Sequence, residues 1–211
     1  PIIEDIKEDD CAVVELSSFQ LISMRSSPDV AVVTNVAPNH LDVHKDMEEY
    51  IEAKRNILRH QNAFSVAVLN ADNVITSSME ELVRGELRWF SHLKPVENGA
   101  FLREDGMLCY SEHGKITEIL NRNEIKIPGL HNVENYLTAI AATWGEVPLS
   151  VLSDIAKNFG GVEHRIELVR VKDGVKYYND SIASSPSRCI AGLRSFREKV
   201  ILIAGGYDKH I

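Results

Sequence analysis

Apolar residues in this chain follow two rhythms. Unbroken runs occur at 11–14 (C-A-V-V), 30–33 (V-A-V-V) and 66–69 (V-A-V-L). Continuous rather than alternating, they predict strands covered on both faces, as in a parallel sheet. Strands are therefore expected at 11–16, 30–36, 65–69, 87–90 and 200–204. Between the runs the rhythm becomes helical. Tyr50, Ile51, Ala53, Ile57 and Leu58 share a face over 47–61, and similar spacing predicts helices at 75–83, 132–144 and 151–158. A short helix is expected at 2–9 and another from Pro186. Over 100–120 the pattern changes to short strands split by E-D-G (104–106) and E-H-G (112–114), which read as hairpin turns. Gly160-Gly161 marks a boundary, followed by a further hairpin (166–171 and 175–178, turn K-D-G). The fold class is α/β: a mostly parallel sheet flanked by helices, with a small antiparallel hairpin sheet.

Composition narrows the function classes. The 211 residues are 44% hydrophobic and 26% charged, with net charge -8. That balance argues against a general nucleic-acid or anionic-membrane binder, though not against a local phosphate site. Cys11, Cys109 and Cys189 lie far apart, with no C-x-x-C pair. They read as reduced cytosolic thiols rather than a zinc site or a disulfide framework. No apolar run approaches a membrane span, and a cytoplasmic location is expected. The chain opens on Pro1 and ends at Ile211, and both ends read as cuts through a longer protein.

In open parallel sheets ligands bind beyond the carboxyl ends of the strands, and polar residues recur there. Glu15 ends the first apolar run. Alone it reads as a solvated or capping carboxylate, or as a magnesium ligand; Ser17, Ser18 and Gln20 follow as short polar hands. Asn35, His40 and Asp42 follow the second run. His40 is either structural or part of a cluster with Asp42 and His44. Lys54, on the helical face E-A-K-R-N-I, reads as a surface lysine. In G-L-H-N-V-E-N, Asn132 and Asn135 share a helix face, although capping would explain one of them. Arg165 beside the boundary suits a phosphate fork, and Asp180 at a strand exit suits ribose hydroxyls. The glycines of G-G-Y-D-K suit a plain turn, since G-x-G-x-x-G is absent.

Taken in order, E-L-S-S-F-Q-L, N-H-L-D-x-H, E-A-K-R-N-I, G-L-H-N-V-E-N, H-R-I-E, N-D-S and G-G-Y-D-K resemble the Mur ligases over essentially the whole chain. The E-L-S-S-F-Q-L run is the specific part and points to the D-glutamate-adding branch. The resemblance implies a P-loop-NTPase-like central ATP-binding domain over 1–161 and the start of a Rossmann-like C-terminal domain over 162–211. It implies an ATP-dependent ligase of peptidoglycan precursor synthesis joining D-glutamate to UDP-MurNAc-L-Ala through an acyl phosphate. The full-length protein is expected to act as a monomer with small-molecule partners only. Two magnesium ions are implied, one at Glu15 and one at His40, with Lys54 carbamylated so that a cationic side chain becomes a carboxylate ligand. By the same carry-over, Asn132, Asn135, Arg165 and Asp180 meet the nucleotide. Ser17 and Gln20 meet the UDP-substrate, and Ser184 and Lys209 the D-glutamate carboxylates.

The chain also departs from the family pattern. N-D-S-I-A-S stands where N-D-S-K-A-T is common, so Ile182 replaces a lysine and Ser184 a threonine. Asn39 stands where an acid is common. The G-x-x-x-x-G-K-[ST] loop that cradles phosphates is absent from the sequence. The expected reading is a piece of the enzyme that does not turn over by itself. The alternatives are a sister Mur ligase, a folylpolyglutamate-synthase-like ligase, and a non-catalytic interaction module.

Overall fold

The computed structural model describes residues 3–37 and 44–206, apart from the side chain of Ser187. Six strands form one sheet in sequence order: β1 (Val30–Val33), β2 (Val66–Asn70), β3 (Glu86–Ser91), β4 (Gly99–Leu102), β5 (Met107–Glu112) and β6 (Lys115–Asn121). β1 to β4 run parallel and β4 to β6 antiparallel. The expected antiparallel strands are therefore an extension of the main sheet. A separate two-stranded sheet pairs β7 (Glu167–Lys172) with β8 (Val175–Asn179). The helices are α1 (Ser18–Ile22), α2 (Met47–Arg59), α3 (Val74–Ser78), α4 (Leu130–Thr143), α5 (Leu149–Asn158) and α6 (Pro186–Leu193).

Both faces of the sheet are covered, as the continuous apolar runs require. Along β2 successive side chains alternate between two cores. Ala67 and Leu69 pack with Tyr50 and Leu58 of α2, while Val68 packs with Val133, Leu137 and Ile140 of α4. Local chemistry sets the helix starts. Asp46 caps α2 by accepting from the Glu49 amide at 2.9 Å.

β3 and β4 are parallel, yet only residues 92–98 separate them. So short a return works because Gly99 pairs with Trp89, in the middle of β3 rather than at its start. Gly99 has φ +135°, and a Cβ there would sit 1.9 Å from the Trp89 carbonyl oxygen. Only glycine fits at that approach.

Two expected strands are absent. Residues 11–16 and 200–204 carry no strand pairing, and Val13 and Ile201 are each 95% exposed. An apolar run becomes a strand only where a neighbour takes its backbone hydrogen bonds and layers cover its faces. Neither is supplied to these runs among the described residues. The helix expected at 2–9 is a single 3-10 turn, Ile3–Asp5.

Candidate active site

The first cluster gathers at the amino end of α1. Ser17 is the N-cap, and with Gln20 it forms a capping box. The Gln20 side-chain oxygen accepts from the Ser17 amide at 2.8 Å and from its hydroxyl at 2.9 Å. Both expected substrate contacts are thus partly spent on each other, and the Gln20 amide nitrogen is the donor they leave. Ser18 is buried and lies 2.8 Å from Nε2 of His44, whose ring stacks on Phe19. That contact clips α1 to the segment entering α2. His44 is a positioning residue that stood in the sequence only as a neighbour of His40.

Lys54 is no ordinary surface lysine. It is half-buried on α2 and directs Nζ toward the Leu16 carbonyl, 3.5 Å away. Burial pushes its amine below the usual lysine range, and the nearby Glu15 carboxylate opposes that shift. Glu15 and Lys54 are therefore electrostatic neighbours, 39 positions apart in sequence. The neutral amine is the nucleophilic form of lysine, and partial burial makes it more accessible here than on an exposed side chain. His40 and Lys209 lie outside the described residues.

The second cluster surrounds a cavity of about 280 Å³, at the small end of ligand clefts. Ile127, Tyr136, Ile155 and Phe159 give it apolar walls, while Asn132, Asn135 and Arg165 bring polarity. α4 begins at Leu130 with Gly129 as its N-cap, so Asn132 is inside the first turn rather than the cap. Its amide donates to the Pro128 carbonyl at 2.6 Å, and Asn135 donates to Asn132 at 3.3 Å. Arg165 has no carboxylate partner within ion-pair distance among the described residues. Asp180 lies at the exit of β8, with Oδ1 accepting from the Ile166 amide at 3.1 Å. Ser184 is exposed just ahead of α6, and Ile182 is also exposed.

A third group ties the strand exits to α4, and the sequence did not single it out. Asp72, after β2, accepts from the Ser91 hydroxyl at 2.6 Å and the His92 amide at 2.7 Å. His92 Nδ1 lies 3.0 Å from Asp72 and 2.9 Å from Glu134 of α4. Burial pushes the Glu134 carboxyl up, with His92 pulling against it. This group fixes the helix that carries both asparagines.

Residues 3–143 match the Mur ligase middle domain. The chain belongs to the Mur ligase family. It is 57% identical over 209 residues to the UDP-N-acetylmuramoylalanine--D-glutamate ligase of Acetivibrio thermocellus and 54% to that of Clostridium botulinum, covering 99% of this chain in each case. The chain spans 45% and 44% of those proteins' lengths. Among solved structures, MurF from Acinetobacter baumannii matches 80% of this chain and 37% of its own, with TM-score 0.62 and 19% identity. MurC from Thermotoga maritima matches 85% and 40%, with TM-score 0.62 and 21% identity. Both are similar to this chain in fold. Among the described residues no helix is long and apolar enough to cross a membrane.

Proposed function

We propose that this chain is the nucleotide-binding and part of the amino-acid-binding portion of an ATP-dependent ligase joining D-glutamate to UDP-MurNAc-L-Ala in the cytoplasm. One observation carries the reading: Asn132 and Asn135 of α4 and Arg165, from beyond the Gly160-Gly161 boundary, converge on one cavity. Its apolar walls suit a flat purine, the asparagine amides suit the purine edge, and the Arg165 guanidinium, without a carboxylate partner among the described residues, suits phosphate. The names of the relatives supply the substrates. Residues 1–161 are read as the central domain and 162–211 as the opening of the next.

The substrate carboxylate oxygen attacks the γ-phosphorus of ATP, and ADP leaves. The D-glutamate amine then attacks the acyl carbon, the bond to phosphate oxygen breaks, and the amine loses a proton. The protein's part is to position the reactants and neutralise charge. The donor set near α1 fits a hard cation: Glu15 offers a carboxylate, and the depressed Lys54 amine suits attack on carbon dioxide. That attack releases a proton and leaves a carboxylate on the lysine arm. Glu15, carbamylated Lys54 and His40 would hold magnesium, which neutralises the phosphoryl oxygens when bound.

The test follows phosphate release by the full-length gene product with ATP, magnesium and UDP-MurNAc-L-Ala. Release that depends on D-glutamate and falls when Asn132 or Lys54 is changed to Ala supports the reading. Release only with another amino acid moves the specificity to a sister ligase. No release from folded protein overturns the reading.

A further inference from the structure

Four non-glycine residues among those described have positive φ: His113, His164, Ile166 and Asp173. Two follow from turn chemistry. His113-Gly114 and Asp173-Gly174 are two-residue hairpin loops in which both positions have positive φ, a twist that suits the flanking strands. The other two have no such cause. His164 (φ 65°) and Ile166 (φ 46°) flank Arg165 in a turn outside any hairpin loop. Histidine tolerates this region, but a β-branched isoleucine there is a true outlier, kept only where its surroundings over-determine it.

The surroundings do so. The His164 amide donates to the Glu167 carboxylate at 2.8 Å. Its carbonyl accepts from the Ile182 amide at 3.3 Å. The Ile166 amide donates to Asp180 at 3.1 Å. Asn179 bridges the His164 ring, 2.8 Å away, and the Glu167 carboxylate, 3.4 Å away. Gly192 lets α6 close over this arrangement, since a Cβ there would stand 2.6 Å from Asp180 Oδ2. Arg165 and Ile166 both line the cavity.

We propose that Glu167, Asn179 and Asp180 act as a brace that holds the His164–Ile166 turn in its strained form and so keeps Arg165 at the mouth of the nucleotide cavity. This rests on reading the cavity as the ATP site. Glu167 and Asn179 are positioning residues for a cation they do not touch. Asp180 serves the turn through Oδ1, which leaves Oδ2 and the second lone pair of Oδ1 for the ribose contact that the resemblance implied. Without the brace, Ile166 relaxes to negative φ, the direction of Arg165 changes, and phosphate binding weakens.

The test measures ATP dissociation constants of the full-length gene product. Glu167→Ala is expected to weaken ATP about three- to tenfold, the worth of one or two hydrogen bonds. Glu167→Gln, which keeps an acceptor oxygen, stays within about twofold of the unaltered protein. Ile166→Gly removes the larger strain of the turn, because glycine adopts positive φ freely and histidine at 164 tolerates it. In that background Glu167→Ala should therefore change ATP binding by less than about twofold, a coupling that a merely structural role would not produce. Gly192→Ala should weaken ATP by pushing Asp180 off the turn, although glycine to alanine inside a helix is ordinarily favourable. Equal losses from Glu167→Ala with and without the Ile166→Gly change, or no loss from Glu167→Ala, overturn the brace. If the unaltered protein takes no ATP, the cavity reading fails. The brace is then judged by amide hydrogen exchange. Faster exchange at both 164 and 166 in Glu167→Ala supports it, and unchanged exchange at 166 overturns it.

Discussion

At the residue scale Lys54 shows how far burial can move a side chain from its default role. Its amine is half-buried and sits below the ordinary lysine value of 10.5, with burial as the larger cause and Glu15 opposing it. Between the folded and unfolded pKa the unfolded chain binds more protons, so this group's contribution to stability rises with pH across that interval. Below it the amine is charged in both states and the burial cost stands in full. Lys54→Met should therefore raise the melting temperature at neutral pH, followed by circular dichroism. The same change should lower ligase turnover by at least about a hundredfold, since losing even a residue that orients a metal ligand costs 10–100-fold. Unchanged turnover would remove Lys54 from the chemistry. A lower melting temperature would mean that its contact with Leu16 outweighs desolvation.

At the element scale the sheet depends on one close approach. Gly99→Ala places a Cβ 1.9 Å from backbone oxygen at φ +135°. Because backbone cannot step aside as a side chain does, β4 must leave β3. Urea unfolding should show a loss of roughly 3 kcal/mol, and a loss below about 1 kcal/mol would mean that β4 is not held in this register. Gly99 was not legible in the sequence, because nothing local announces which glycine meets a neighbouring strand. What was legible were elements with strong periodicity. β1, β2, α2 and α5 lie within a few residues of their expected places, since their apolar faces match the covers they receive. The runs at 11–16 and 200–204 failed for the complementary reason: composition states a demand for cover, and tertiary structure decides whether it is met. In the candidate site the Asn132/Asn135 face and Arg165 could be read because their spacing or position carries a mechanism. His44, His92 and the strained Ile166 could not, because their roles come from contacts across the fold.

At the scale of the whole molecule, His131 marks where the main sheet's helix layer meets the segment after Gly161. It stands on the first turn of α4. The Cβ position of Gly129 lies 2.6 Å from its ring and 2.4 Å from the Ser195 hydroxyl, just after α6. Burial pushes the His131 imidazole below its usual value, Arg165 pushes the same way, and Asp180 pulls back. Below pH 6.5 the unfolded chain therefore binds a proton that the folded chain resists. Stability from this group is present above that pH and is lost as pH falls through 6.5 toward the folded value. The loss belongs to a junction, because charging His131 sets a second cation against Arg165 where the two parts touch. The melting temperature of the unaltered protein should fall between pH 7.5 and pH 5.5. His131→Gln keeps a polar side chain without a titrating ring, and should flatten that fall while leaving pH 7.5 nearly unchanged. Limited proteolysis should follow the same order, with cleavage near 160–163 faster at pH 5.5 in the unaltered protein and pH-independent in the variant. Equal pH dependence in both proteins would place the acid sensitivity elsewhere and leave this junction held by packing alone.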